Sequence, residues 1–219
     1  MKRALKQAIL APAVIGMMAC SSAGTVERTA SAPEPAAAHE HPVAEPAQAQ
    51  ASAHPGFTAA DVKFMQDMIG HHAQALVMAA MAPTHGAGPQ LLRLAQKIDI
   101  SQADEIGMMK DWLIERKQAL PDEAHLHHMQ MPGMLTPEQL ARLDGARGRE
   151  FERLFLTYMI GHHEGALRMV DELFASPGAA QDSDIFRFVT DVAADQLDEI
   201  HQMKYMLELL AANQGSESR

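Results

Sequence analysis

The sequence predicts an all-α protein, a four-helix bundle built from two repeated helical hairpins. Two observations support this prediction. From residue 57 onward, apolar residues recur at steps of three and four, which is the spacing of one face of an α-helix. Two sequence elements also occur twice within that region, in the same order. Because neither hairpin can bury its apolar face alone, the two related hairpins are expected to pack against each other.

Local signals mark where the helices begin and end. The first can begin at Thr58, since Thr-Ala-Ala-Asp has the spacing of a capping box, and must end near Pro83. The third has Thr136 as its N-cap, Pro137 at the first helical position and Gln139 three residues beyond the cap. The four expected helices lie near residues 58–82, 89–118, 137–175 and 183–212.

The two repeated elements define the hairpins. The first element is Met-Ile-Gly-His-His, at residues 68–72 and again ninety-one residues later at 159–163. The second element shares Gln, Asp-Glu-Ile and Met-Lys and begins at Ser101 and at Asp195, an offset of ninety-four. The second hairpin therefore carries three more residues between its elements than the first. We expect these extra residues in its turn.

Each hairpin places imidazoles and thioethers on one broad helical face, because residues three, four and seven apart are neighbours on a helix. These candidate metal ligands are Met68, His71, His72 and Met78 in the first hairpin and Met159, His162, His163 and Met169 in the second. Counting out from each turn puts the histidines level with an amide and a carboxylate of the following helix. These are Gln102 and Glu105, and Gln196 and Glu199.

Burying such polar groups costs several kcal/mol unless each finds a partner, and two arrangements would supply one. In the first, the histidines bond to Glu and Gln across the helices, and the methionines are adaptable core packing. In the second, the imidazoles bind a metal while Glu and Gln orient them by hydrogen bonds. Methionine and histidine are abundant, at 16 and 12 residues, and their joint concentration favours the metal.

The segment between the hairpins strengthens the metal interpretation. Its sequence His-Leu-His-His-Met-Gln-Met-Pro-Gly-Met holds six potential ligands in ten residues, namely His125, His127, His128, Met129, Met131 and Met134. Thioether and imidazole together suit soft copper(I) and silver(I), whereas magnesium and calcium require oxygen ligands. The histidines of this segment could also hold copper(II). The Glu-x-x-His pairs of di-iron bundles and the His-Glu-x-x-His zinc motif are both absent from the sequence.

Residues 1–19 have the features of a bacterial lipoprotein signal peptide. Three basic residues, Lys2, Arg3 and Lys6, precede a short apolar run that ends at Cys20, the only cysteine in the sequence. These features predict an exported protein of the cell envelope or periplasm, anchored to a membrane by a lipid on Cys20. An ordinary secretory signal, which would leave a free thiol, is the alternative.

The chain is therefore divided into three parts. After the signal segment, residues 20–56 form a linker rich in Ala, Pro and Glu that is predicted to be disordered, and residues 57–213 form the bundle domain. The formal net charge of −10, without a basic stripe in the domain, argues against nucleic acid as a partner.

The sequence resembles a known bacterial family over roughly residues 57–212. The resemblance rests on Phe-Met-Gln-Asp-Met-Ile-Gly-His-His at 64–72, on the segment from Met131 through the second Met-Ile-Gly-His-His, and on the two Gln-x-x-Glu-Ile-x-x-Met elements. These motifs are similar to those of the domain of unknown function 305 family. The resemblance implies a ferritin-like four-helix bundle, and some members of that family are exported copper-binding proteins linked to copper and silver tolerance.

The predicted function is to sequester or carry copper in the cell envelope and so contribute to metal tolerance. The expected partners are copper ions, with silver as a second ion, and other envelope proteins that handle copper. No enzymatic turnover is expected. Two alternatives stay open at this point, namely a redox-active metalloenzyme of the envelope and a structural or interaction lipoprotein that binds no metal.

Overall fold

The structure, a computed structural model, describes residues 56–122 and 130–217, with side chains to residue 213. These residues form helices and connections without a strand, which confirms the all-α bundle. The predicted signal peptide, Cys20 and nearly all of the linker lie outside the described residues. The helices are α1 (Ala59–Met81), α2 (Pro89–Glu115), α3 (Pro137–Gly145), α4 (Gly148–Ala175) and α5 (Ser183–Glu217).

The four long helices form two hairpins, α1 with α2 and α4 with α5, that meet along α1 and α4. Both predicted capping boxes are present. The Thr58 hydroxyl accepts a hydrogen bond from the backbone N–H of Asp61 at 3.3 Å, and the Thr136 hydroxyl accepts one from Gln139 at 3.3 Å. These side chains satisfy backbone N–H groups that have no partner within the helix, so both helices begin where the sequence predicts.

The predicted third helix, 137–175, is wrong as a continuous element. Ala146 and Arg147 are extended, and they separate the short α3 from the long α4. The break is held by His85 in the first turn, whose ring donates to the carbonyl of Asp144 at 2.9 Å and whose own carbonyl accepts from Gly148 at 2.7 Å. These tertiary bonds satisfy backbone groups that a continuous helix would have paired internally, so the chain bends there.

The two turns differ in length as expected. After α1, one 3₁₀ turn (Ala82–Thr84) continues the helical path, so the first connection has four non-helical residues, 85–88, whereas the second has seven, 176–182. The backbone N–H of Ala180 in this longer turn donates to the buried carboxylate of Asp61 at 2.7 Å. The three extra residues therefore lie in the turn and bring it into contact with the beginning of α1.

The buried apolar residues form two clusters, one near each turn. The first-turn cluster includes Met78 and Phe155, and the second-turn cluster includes Met68 and Met169. The C-terminal half of α1 thus packs with the N-terminal half of α4, so the two helices are antiparallel and the turns lie at opposite ends of the bundle. None of the helices in residues 56–122 and 130–217 combines the length and the hydropathy of a membrane-spanning segment.

Candidate metal centre

A layer of eight buried polar side chains separates the two apolar clusters. On every long helix, two of them fall between residues of the first-turn cluster and residues of the second-turn cluster. None is more than 7% exposed, although buried polar groups are uncommon unless they are paired. We call this set the polar layer, and it consists of His71, His72, Gln102, Glu105, His162, His163, Gln196 and Glu199.

Two equivalent histidine–glutamate pairs form the outer parts of this layer. Nε2 of His72 lies 2.6 Å from Oε2 of Glu105, and Nε2 of His163 lies 2.8 Å from Oε2 of Glu199. An ionised carboxylate only accepts, so each Nε2 carries a proton and donates it. In a neutral ring, the lone pair is then on Nδ1, and Nδ1 of both histidines is buried with no hydrogen-bond partner in residues 56–122 and 130–213.

The other two histidines meet at the centre, where α1 contacts α4. The ring centroids of His71 and His162 are 3.8 Å apart, with the ring planes at 40°. Nε2 of His71 lies 3.0 Å from the carbonyl oxygen of Pro132, in the segment between the hairpins, while its Nδ1 has no hydrogen-bond partner in the part of the chain that the structure describes. Among the described residues, neither ring nitrogen of His162 has a partner of good hydrogen-bond geometry, although a weak contact with the backbone of His71 opposes the lowering of its pKa. The sequence therefore predicts the layer, but not that the central histidines have different partners.

The surroundings keep the central pair neutral. Burial is the main cause that lowers the pKa of His71 from 6.5 to about 3, and the neighbouring imidazole of His72 contributes to the same shift. Burial, together with the nearby imidazole of His71, also lowers the pKa of His162 well below 6.5. Both rings are uncharged at neutral pH, so their unprotonated nitrogens can donate a lone pair to a cation.

The carboxylate of Glu199 has a second partner that the sequence analysis did not identify. Lys97 of α2 places Nζ 3.3 Å from Oε1 of Glu199, close enough for an ion pair although the geometry is not that of a hydrogen bond. Burial raises the pKa of Glu199, but the hydrogen bond from His163 and the Lys97 charge outweigh burial and hold that pKa below its ordinary value. Glu199 is therefore ionised at neutral pH and remains an acceptor for His163.

The side-chain amides of the two glutamines in the layer are not fully paired with its other polar groups. Both amide atoms of Gln102, and the amide oxygen of Gln196, are buried and have no hydrogen-bond partner among the residues that the structure describes. Buried amides are normally satisfied by protein, water or an ion, and leaving one unpaired costs about 1–3 kcal/mol. The layer thus offers more polar atoms than its own internal bonds use.

The predicted methionine ligands lie on both sides of the histidines. Met78 and Met159 belong to the first-turn cluster, and Met68 and Met169 belong to the second-turn cluster. All four are at most 6% exposed. Met68 precedes His71 by three residues, and Met159 precedes His162 by three, so each thioether is one turn from an imidazole on the same helical face.

Only two of the six candidate ligands in the segment between the hairpins lie among the described residues. His125, His127, His128 and Met129 lie outside them. Met131 packs against the second-turn cluster, and Met134 lines a groove of about 650 Å³ beside α1. Among the described His, Cys, Asp and Glu residues, no three side chains converge as ligands of one ion. The thioethers of the methionines beside the layer are further potential ligands.

The fold and the layer define a class of protein, namely an all-α bundle of two related hairpins with a buried histidine–glutamate layer. The sequence matches the family model described as Domain of unknown function (DUF305) over residues 61–207. The chain belongs to the DUF305 family, as the repeated Met-Ile-Gly-His-His elements indicate.

Solved structures similar to this chain include a DUF305 fragment from Deinococcus radiodurans, with 29% identity and a TM-score of 0.62, covering 70% of this chain and 99% of that one. A DUF305 protein from Streptomyces coelicolor has 27% identity and a TM-score of 0.60, covering 69% and 94%. CopM in the Cu(I)-bound form has 29% identity and a TM-score of 0.54, covering 68% and 95%.

CopM structures have been determined with different ions. Besides the Cu(I) form, similar structures include Cu(II)-bound and silver-bound CopM, at 29% and 28% identity. Among curated proteins, none matches the chain.

Proposed function

We propose that this protein binds copper in the cell envelope, holding copper(I) through the polar layer and the methionines beside it. Silver(I) would bind in the same way, because its preference for sulfur and imidazole is similar. The ion is cargo that the protein sequesters or passes to another envelope protein that handles copper. No catalytic turnover is part of the proposal.

One observation carries this proposal. Three imidazoles, those of His71, His72 and His163, each direct Nε2 to an oxygen acceptor and retain a buried Nδ1 that has no hydrogen-bond partner among the described residues. Histidines that bind metals almost always donate their other ring N–H to a carboxylate or a backbone carbonyl, which fixes the tautomer and the ring orientation. The hydrogen bonds expected of metal ligands are therefore already present.

The donor set indicates which ion fits. The available ligands are neutral imidazole nitrogens and the thioethers of Met68, Met78, Met159 and Met169. Copper(I) and silver(I) bind such soft or intermediate ligands, whereas magnesium and calcium bind oxygen ligands. Glu105 and Glu199 bond to histidines, so they serve to orient the imidazoles. The copper-bound and silver-bound forms of CopM support the same choice of ions.

The location of the protein is the second part of the proposal. In this proposal the signal segment 1–19 directs export, a lipid on Cys20 anchors the chain, and residues 20–56 link that anchor to the bundle domain. The Streptomyces coelicolor relative, whose description proposes that it is secreted, agrees with export. We further propose that the loop histidines His125, His127 and His128 can take copper(II), and that Met129, Met131 and Met134 are additional thioether ligands in the same segment.

The proposed core site is tested by titrating purified protein with copper(I) against a chelating indicator. Wild-type protein should bind at least one ion tightly. The double variant His71→Ala, His162→Ala should bind more than about tenfold more weakly, since even groups that only orient a metal ligand contribute that much. His85→Ala is the matched control, because it removes a buried imidazole that bonds to Asp144 outside the polar layer.

Unchanged affinity in the double variant would exclude the core site and leave the loop as the binding region. Thermal unfolding gives an independent measurement, because an ion that binds only the folded state must raise the melting temperature. A melting temperature that neither copper(I) nor silver(I) changes would favour a structural role for the polar layer.

A further inference from the structure

The segment Met131–Leu135, here called the docked segment, packs directly on the backbone of α4. A Cβ atom added to Gly165 would lie 1.9 Å from the carbonyl oxygen of Pro132, and one added to Gly133 would lie 2.5 Å from the carbonyl oxygen of Gly161. Gly133 also has φ of +81°, which side-chain-bearing residues rarely adopt. This approach of two backbones is possible only because both positions are glycine.

Two further contacts hold the docked segment in place. The side-chain amide of Gln74 pairs with the backbone of Leu135, accepting from its N–H at 2.7 Å and donating to its carbonyl at 3.1 Å. Met131 packs against the second-turn cluster, whereas Leu135 is buried in the first-turn cluster. The segment is thus anchored in both apolar clusters and crosses the polar layer between them.

The crossing brings Pro132 to the central histidine pair. Its carbonyl oxygen lies 3.0 Å from Nε2 of His71. A carbonyl can only accept, so the proton of the neutral His71 ring is on Nε2 and the lone pair is on Nδ1. The ring centroid of His162 lies 3.8 Å from that of His71, and within the described part of the chain neither of its nitrogens has a partner of good hydrogen-bond geometry. The docked segment is what makes the two central histidines different.

The two repeats differ at the positions that this contact uses. Gln74 and Gly165 are equivalent residues, each three beyond the first histidine of its Met-Ile-Gly-His-His element. In the first hairpin that position supplies the amide that holds Leu135, and in the second it supplies the space that admits Pro132. The difference between Gln74 and Gly165 at this one repeat position therefore provides two of the contacts that hold the docked segment.

We propose that the docked segment is a positioning element, which fixes the tautomer of His71 through the Pro132 carbonyl and presets its Nδ1 as the donor to the ion. This inference rests on the proposed function for the identity of the ion, but the tautomer is a property of the protein without metal. Gln74 and Gly165 are positioning residues, because they act only through Pro132 and His71.

The decisive variant is Gly165→Ala, in the full-length protein. The new methyl group overlaps the Pro132 carbonyl oxygen and displaces the docked segment. Gly161→Ala is the matched control, because a Cβ at Gly161 meets nothing within 4 Å, and the gain in helix propensity is the same at both positions. The ring nitrogens of His71 are followed by ¹⁵N NMR of metal-free protein, which distinguishes the two tautomers.

In wild-type protein and in Gly161→Ala, the His71 ring should be in the Nε2–H tautomer. In Gly165→Ala it should become a mixture, and affinity for silver(I), measured by competition, should fall about tenfold or more. Gln74→Ala should shift the tautomer in the same direction and provides a second test if Gly165→Ala does not fold. An Nδ1–H tautomer in the wild type, or an unchanged tautomer in both variants, would overturn the inference.

The two proposals fail in different ways. A wild-type protein with the fixed tautomer that binds neither copper(I) nor silver(I) would overturn the proposed function while upholding the positioning of His71. Tight binding that Gly165→Ala leaves unchanged, despite a mixed tautomer, would show that Nδ1 of His71 is not preset for the ion and would overturn the inference alone.

Discussion

The first and second hairpins contain the same buried histidine–glutamate pair, at 2.6 and 2.8 Å, and differ in what surrounds it. In the first hairpin, the Pro132 carbonyl accepts from His71. In the second, Lys97 lies beside Glu199. The repeats thus keep the bonds that satisfy buried polar groups, and they diverge where the rest of the chain contacts them. The following predictions test how far the two hairpins are equivalent.

The largest effect is expected from removing either glutamate. Glu105→Leu and Glu199→Leu each leave a buried imidazole N–H without an acceptor, so the free energy of unfolding should fall by about 2–3 kcal/mol. The corresponding Gln variants keep an acceptor oxygen and should lose about 1 kcal/mol. Urea unfolding of the metal-free protein measures all four. A large loss in one hairpin with none in the other would show that the two pairs are not equivalent.

The pH dependence of stability compares the two central histidines. The pKa of His71 is about 3 in the folded protein and 6.5 in the unfolded chain, so below pH 6.5 the unfolded chain binds a proton that the folded protein does not. Stability is therefore retained above pH 6.5 and lost as the pH falls. At pH 5 the loss from His71 should be about 2 kcal/mol.

Urea unfolding at pH 7 and pH 5 measures this loss. His71→Gln should remove the loss that comes from His71, and His162→Gln should reduce the pH dependence in the same direction, because burial also lowers the pKa of His162. A wild-type protein equally stable at the two pH values would contradict the lowered pKa values. Both samples must be free of metal, since copper binding is itself coupled to the protonation of histidine.

The smallest effect is expected at Lys97, where only the second hairpin has a cation near its glutamate among the described residues. The lysine is half-exposed, so Lys97→Met should change the free energy of unfolding by only about 0.5 kcal/mol. The pKa of Glu199, followed by carboxyl NMR, should rise because the variant removes a nearby positive charge. Lys204→Met, which breaks the exposed pair with Glu164, is the control and should leave that pKa unchanged.

Local sequence patterns placed most of the fold correctly. The caps at Thr58 and Thr136 and the longer second turn follow from the residues themselves, because capping and periodicity act over a few neighbouring positions. The break at Ala146 and Arg147 is different, since it depends on bonds from His85, about sixty residues earlier in the chain. A local sequence pattern does not predict a contact between residues so distant in the chain.

The candidate site could also be predicted from the sequence only in part. Helical spacing placed His71, His162, Glu105 and Glu199 at one level of the bundle, and all four are buried there. Spacing could not pair Glu105 with His72, because the partner depends on how the two helices are rotated against each other. The difference between Gln74 and Gly165 was visible in the repeats, but its meaning required the docked segment.

The sequence by itself determined the family, the four long helices and the set of side chains that must be buried together, since those follow from periodicity, repetition and residue type. The tertiary structure decided which nitrogen of each histidine is engaged, which histidine meets the Pro132 carbonyl and where the methionines lie around them. The reason is physical. Burial is set by the position of a residue on its own helix, whereas hydrogen-bond partners are set by contacts between segments distant in the chain.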